Sequence, residues 1–279
     1  MAAQRRIVDD LLFCLKRDIP SANEIMVKEA CLGLGFTGVR LSTGHVGLCH
    51  SLQSETSLQC CQILKRAGKL AGSSALSLAG LIKSWDVSER VVGAATLNAM
   101  CQIILRNSSH RYDVVDGNLV DHLDVRQDDT VAVVGNIRPI VTAIRSRVEN
   151  LYVFERGGIA DEGVLPDVAS EELLPQSNIV IITGTAIANG TIDRVLDLSR
   201  GARYIALIGP SATVMPDPLF ARGVSAIAGV IVTDDEKAMQ IVAEGGGTPQ
   251  LKAATRFVVI KAKMVHSARL GVSSLNQKP

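Results

Sequence analysis

Two short apolar runs, Ile179–Ile182 and Tyr204–Ile208, each stop abruptly in a glycine-bearing polar turn. The turns are Thr183-Gly184-Thr185 and Gly209-Pro210-Ser211, and between the runs Ile192, Val195, Leu196 and Leu198 recur at helical spacing. Strand, crossover helix and strand make the repeating unit of a parallel sheet, and such sheets bind ligands outside the carboxyl ends of their strands. The stretch from Asn178 to Pro218 therefore predicts both a fold and the place of a site.

The same alternation begins at Thr130. Val131–Val134 reads as a buried strand ending at Gly135, and Pro139 opens a helix that runs to Val148. Leu151–Phe154 is a second strand, ending at Glu155, and Leu165–Pro175 reads as a loop with a short helix. Asp217 is placed to cap a short helix opened by Pro218 and closed by Gly223. Ala226–Val232 is a further strand, Asp234–Ala243 the last clear helix, and Arg256–Ile260 has the composition of an edge strand. The pattern predicts a Rossmann-like, doubly wound parallel sheet over residues 123–279. After Glu244 there is no Asp or Glu, whereas Lys252, Arg256, Lys261, Lys263, Arg269 and Lys278 follow, so the domain is expected to end in a solvated basic tail.

Residues 1–122 read differently. Arg5–Lys16 has amphipathic helical spacing and stops at Pro20. Ile25–Leu34, Phe36–Ser42 and His45–Leu52, punctuated by glycines, predict a three-stranded antiparallel meander. Ala75–Ser84 and Ser88–Arg106 are helical, the second capped by Asp86 or Ser88 with Glu89 in its first turn. Strands followed by helices make a smaller α+β domain. It is expected to end in the polar, aperiodic stretch Asn107–Asp129, where His110 and His122 read as solvated.

Composition narrows the function classes. A net charge of +1 and 3% aromatic residues argue against a nucleic-acid partner. No apolar run approaches the roughly 18 residues of a membrane span, and the acid-bearing N-terminus lacks a secretory h-region, which points to the cytoplasm. The cysteines at 14, 31, 49, 60, 61 and 101 show no zinc-site spacing and are expected to be reduced, buried thiols. Adjacent Cys60 and Cys61 would point about 100° apart on a helix, which does not suit one metal. An apolar content of 47% is compatible with a homo-oligomer.

The candidate ligand-binding residues follow from the turns. Gly135, Asn136 and Pro139 form the first strand-to-helix turn, but only Gly135 of a GxGxxG fingerprint is present, which disfavours NAD or FAD in the usual mode. Arg138 in that turn could meet an anion. Glu155 could accept hydrogen bonds from ribose hydroxyls, supply a hard oxygen to a metal, or form an ion pair with Arg156 or another neighbour. Thr183, Gly184, Thr185 and Asn189, then Gly209, Pro210 and Ser211, offer neutral hydrogen bonds and close backbone approach. Ser211 has no G-x-S-x-G elbow and is not read as a nucleophile. His45 and Cys49 share a strand face, with His50 on the other, and make a conceivable half-site for a metal. Glu29 and Arg40, charged on apolar strands, each need water or a partner.

The runs LLPQSNIVIITGTAIANGTIDRVLDL, GARYIALIGPSATVMPDPLFARGVSAIAG and EGGG, over about Asp129–Gly247, resemble the heavy-metal-chelation domain family, first catalogued as a domain of unknown function. GFTGVRLSTGHVGL and RVVGAATLNA more loosely resemble its companion N-terminal domain. The resemblance implies an enolase-N-terminal-like α+β unit joined to a Rossmann-like domain, with a cleft between them that binds or inserts heavy metals. It adds Arg90 and Asn98 to the cleft residues. The small, neutral character of these motifs suits a transition metal held by a small-molecule chelator better than a protein cage. The first functional expectation is thus a cytoplasmic metal-handling protein, with glycine turns and helix N-termini taking an anionic chelator beside Glu155. The alternative is an enzyme using a nucleotide-like cofactor such as S-adenosylmethionine. A third is a scaffold that docks a partner through its basic tail.

Overall fold

The structure, a computed structural model, describes residues 5–56, 64–106, 111–156 and 162–263. Cys60, Cys61, His110, Arg269 and Lys278 lie outside the described residues. The first part holds helix α1 (Ile7–Asp18), strands β1 (Val27–Leu32), β2 (Phe36–Leu41) and β3 (Val46–His50), and helices α2 (Ala75–Ala79) and α3 (Val87–Leu105). The strands form the expected antiparallel sheet in the order β1-β2-β3. Glu29 and Arg40, paired across β1 and β2, form an ion pair. Asp86, not Ser88, caps α3, accepting from the Glu89 amide at 3.2 Å.

Every residue of α3 from Arg90 to Gln102 is buried. A helix that is apolar all round has no solvent face and belongs inside. Here α3 lies between the small sheet and the large one. Its buried amides fasten both sides: Asn98 Nδ2 donates to Leu48 O of β3 at 2.7 Å, and Gln102 Nε2 donates to Val230 O at 2.9 Å. Gly47 lets β3 lie directly on the helix, since a Cβ there would sit 2.0 Å from the Ala99 nitrogen.

The large sheet contains β4 (Tyr112–Asp116), β5 (Thr130–Val134), β6 (Asn150–Glu155), β7 (Val164–Pro166), β8 (Ile179–Thr183), β9 (Tyr204–Ile208), β10 (Ala226–Val232) and β11 (Thr255–Ala262). Its helices are α4 (Arg138–Arg145), α5 (Ser170–Leu173), α6 (Thr185–Asn189), α7 (Ile192–Leu198), α8 (Asp217–Phe220), α9 (Asp235–Ala243) and α10 (Thr248–Leu251). The strand order is β7-β6-β5-β8-β9-β10-β11-β4. The six strands from β5 to β10 are parallel. Their chain order across the sheet is third, second, first, fourth, fifth, sixth, as in doubly wound nucleotide-binding sheets. Strand β8 shows why its sequence is continuously apolar: Ile179 and Ile181 pack on one face, Val180 and Ile182 on the other.

Three expectations are corrected. Residues 255–262 are neither a solvated tail nor an edge strand: β11 runs antiparallel between β10 and β4, and Arg256 pairs with Asp116. The polar stretch Asn107–Asp129 contains β4, which itself forms the sheet edge, and His122 is half-buried in a single 3-10 turn. The β4–β11 pairing spans more than a hundred residues, and no local periodicity announces it. Asp217 does not cap α8; its carboxylate pairs with Arg111 and accepts from the Tyr112 hydroxyl at 3.0 Å.

At the opposite end of the parallel strands, Asp129 is 5% exposed and holds Arg203 at the entry to β9 through contacts of 2.5 and 3.2 Å. Burial pushes its carboxyl up, but bonds from Arg203 and the Arg126 amide outweigh that and hold it below the ordinary carboxylate range. A depressed folded-state pKa gives stability that is present above the unfolded value and is lost as pH falls through the folded one. Asp129→Asn is therefore expected to lower stability at pH 7 and to lose less of it on acidification than the parent. Urea melts from pH 7 to 3 check this, and parallel curves for both proteins would contradict it.

Candidate functional site

The carboxyl ends of β5, β6 and β8 meet where the strand order reverses, since β5 pairs with β6 on one side and β8 on the other. A crevice forms at such a point because the connections leave the sheet in opposite directions. It is a cleft of about 630 Å³, with His50, Leu52 and Glu55 contributed by the chain leaving β3. Gly135 turns with φ +93°, a conformation that favours glycine, and a Cβ there would lie 2.8 Å from the Thr183 methyl. The first turn thus folds tightly over the end of β8.

Glu155 is the best-anchored polar group in the cleft. One carboxylate oxygen accepts from the Asn136 amide at 2.7 Å and the other from the Arg156 amide at 2.8 Å. The ion pair considered for Glu155 and Arg156 does not form. The Arg156 guanidinium instead contacts Glu55 and Asp167, each at 3.1 Å. Across the cleft, the Thr183 and Thr185 hydroxyls lie 3.0 Å apart. Asn189 Oδ1 accepts from the Thr191 hydroxyl at 2.9 Å, and its Nδ2 donates to Glu55 at 3.4 Å. Gly135, Asn136, Glu155, Thr183, Thr185 and Asn189 are thus brought together, as the turns suggested.

The other expected residues build the site's support. Gly184 is buried, and a Cβ there would stand 2.2 Å from the Ala212 nitrogen, so the two glycine turns pack backbone to backbone. Pro210 and Ser211 are buried in that contact. Ser211 Oγ accepts from the His50 amide at 2.9 Å, and its carbonyl accepts from Asn98 at 3.3 Å. Gly209, at φ +108°, turns the chain into this contact without lining the cleft, and Pro139 is exposed on the first turn of α4. Arg90 is not a cleft residue either. Its guanidinium donates to Ala188 O at 2.5 Å, Ile187 O at 3.1 Å and Ser84 O at 3.2 Å. A cation closing the carboxyl end of α6 is favoured by the helix dipole, and it fixes the helix whose first residue is Thr185.

His45 and Cys49 do not form a metal half-site. Four residues of extended chain separate their Cα atoms by about 13 Å, so a shared face does not mean a shared ligand position. Cys49 is fully buried, and burial pushes its thiol up to about 12. His45 lies near Arg106 and Asp235, and burial, with the Arg106 charge, lowers its pKa. No group of three or more His, Cys, Asp or Glu side chains able to hold a metal ion occurs among the described residues.

Several lining residues were missed by reading the turns alone: His50, Glu55, Arg156, Thr191 and Arg194. His50 had one visible signal, its alternation with Cys49 at the end of a strand. Its ring packs edge-on against Phe36 at 5.6 Å. Desolvation lowers its pKa, opposed by Glu155 and Glu55. Among the described residues, Glu55, Glu155, Asp167 and Glu171 face two guanidinium groups in the lining, those of Arg156 and Arg194. Arg194 is paired with Glu171. The described lining is net negative, which does not fit the expected anionic chelator and favours a neutral or cationic ligand.

A family model described as "Putative heavy-metal chelation" matches residues 118–261, and a second model with the same description matches residues 15–101. An uncharacterized protein of Methanocaldococcus jannaschii is 32% identical over 177 residues, which is 62% of this chain and 66% of that protein. The alignment therefore spans just under two thirds of that relative. Crystal structures of two proteins of unknown function from the family matched at residues 118–261 share the fold. The one from Pyrococcus horikoshii has a TM-score of 0.77 at 24% identity, covering 90% of this chain and 100% of that one. The one from Desulfitobacterium hafniense has a TM-score of 0.76 at 27% identity, covering 94% and 100%. Among the described residues no helix is long and apolar enough to cross a membrane.

Proposed function

The chain belongs to the family described as "Putative heavy-metal chelation", and from that premise we propose that it handles a transition metal carried into the switch-point cleft as a neutral or cationic small-molecule complex. Glu155 is the observation that carries this reading. Its carboxylate is fixed by two backbone amides at the crevice and keeps lone pairs for a ligand. The surplus of carboxylates attracts positive charge. Among the described residues no thiolates and imidazoles cluster to hold a metal, so in this reading the small molecule supplies most of the coordination sphere. Thr183, Thr185 and Asn189 would hydrogen-bond the organic part, and Glu155 would accept from it or add one oxygen to the metal.

The test begins with elemental analysis of untagged, freshly purified protein, with small-molecule mass spectrometry of the same sample after denaturation. The expected result is a near-stoichiometric transition metal together with an organic ligand. Titration calorimetry with Ni2+ alone and with its neutral histidine complex then follows, on the parent, Glu155→Ala and Thr185→Ala. The complex should bind more tightly than the bare ion, and Glu155→Ala should weaken it by about tenfold or more, as the loss of a charged hydrogen-bond acceptor does. Equal affinity in all three proteins would refute the reading.

A further inference from the structure

The β6 end of the cleft carries features that the metal reading does not use. Glu155 ends the second strand of a sheet whose parallel strands run in the nucleotide-binding order. A carboxylate offers about four lone-pair positions, and the two backbone amides occupy one on each oxygen. Each oxygen therefore keeps a position, in a carboxylate already oriented before any ligand arrives. Two adjacent hydroxyls on a ribose ring are the matching donors, because each can reach a different oxygen of the same carboxylate.

The surroundings define the rest of the ligand. Val168, just beyond β7, is 72% exposed at the cleft rim, and Ile137, just beyond β5, lines the same cleft. These two apolar side chains follow the strands on either side of β6, where a planar base joined to that ribose would lie. The first turn is unsuited to phosphate. In dinucleotide sites the amides of this turn face the pyrophosphate. Here the Asn136 amide is given to Glu155, which puts a negative charge where the phosphate would sit. Among the described residues, neither guanidinium lining the cleft is spare, as Arg156 holds Glu55 and Asp167 and Arg194 holds Glu171.

We infer that the β6 end of the cleft is a vicinal-diol site for a nucleoside without phosphate, uncharged or cationic. Glu155 reads the ribose hydroxyls, and Ile137 and Val168 flank the base. The inference rests on the cleft being a ligand site, as proposed above, but does not require a metal there.

The test is calorimetry and thermal shift on the full chain, with elemental analysis of the same samples. The probes are the four ribonucleosides, S-adenosylmethionine, 2′-deoxyadenosine, 3′-deoxyadenosine, 2′,3′-dideoxyadenosine and ATP. At least one ribonucleoside or the sulfonium nucleoside should bind. Binding should weaken about tenfold or more when both ring hydroxyls are removed or when Glu155 becomes Gln. ATP should bind more weakly than adenosine. If the free nucleoside binds best, the ligand is uncharged; if S-adenosylmethionine binds best, a cationic group is also recognised. The deoxy series needs no mutation, so it decides the matter even if the Glu155→Gln protein is unstable. No binding by any probe at millimolar concentration, equal binding of the dideoxy compound, or tighter binding of ATP would overturn the inference. Bound metal without nucleoside binding would sink this inference and leave the metal reading intact, and nucleoside binding without metal would do the reverse.

Discussion

Gly47→Ala is expected to destabilise the protein by about 3 kcal/mol or more, lowering the melting temperature by roughly 10 °C. The added methyl would lie 2.0 Å from the nitrogen of Ala99 and 2.2 Å from the carbonyl oxygen of Ala95. Both are backbone atoms of the buried helix α3, so no side-chain rotation relieves the clash. Either β3 or α3 must withdraw. Withdrawal would strain the Asn98 bond to Leu48 and the Gln102 bonds to Val230 and Val232. Gly44→Ala is the control. No atom lies within 4 Å of a Cβ there, and the cost is only that of a left-handed φ of +89°, about 1–2 kcal/mol. Differential scanning calorimetry of the two variants separates overpacking from backbone strain. A Gly47→Ala protein melting with the parent would mean that α3 and β3 are not in this contact.

Arg90→Met is expected to cost at least about 3 kcal/mol and to weaken ligand binding in the cleft, although Arg90 touches no ligand. The substitution keeps much of the stem but removes every donor. The carbonyls of Ser84, Ile187 and Ala188 then lose their bonds to the guanidinium in a largely buried site, and each unpaired buried group costs about 1–3 kcal/mol. Gly190 marks how closely the group is held, because a Cβ there would stand 2.7 Å from Arg90 Nη2. Lysine should rescue little, since a single ammonium cannot span three carbonyls as the planar fork does. Hydrogen exchange across residues 185–189 is the discriminating readout. Faster exchange there in Arg90→Met, with β5 and β6 unchanged, is the expected pattern. A uniform change over the whole chain would instead make Arg90 a general stability residue and remove its link to α6.

The residues that could be assigned to the cleft from sequence are those that end strands. Gly135, Glu155, Thr183 and Thr185 follow apolar runs, and a parallel sheet delivers all its strand ends to one edge. Arg90 and Asn98, brought in by resemblance, donate to backbone carbonyls. Both roles place a polar side chain in an otherwise apolar helix, so the sequence pattern is the same for either. His45 and Cys49 failed for a related reason. A period of two assigns them one face of a strand, but the rise along the strand keeps them apart.

The sequence by itself determined the strand-and-helix alternation, the parallel sheet, the three-stranded meander and the location of the glycine turns. Each is encoded within ten or twenty residues, by hydrophobic period and by turn chemistry. Only the tertiary structure decided that β11 lies inside the sheet, that β4 forms its edge, and that Glu55, His50 and Arg156 meet at the cleft. It also decided the negative balance of the described lining, because charge there depends on which carboxylates the fold collects and which arginines they already hold. Those facts depend on contacts between distant segments, where hydrogen-bond pairing and burial are settled in space rather than along the chain.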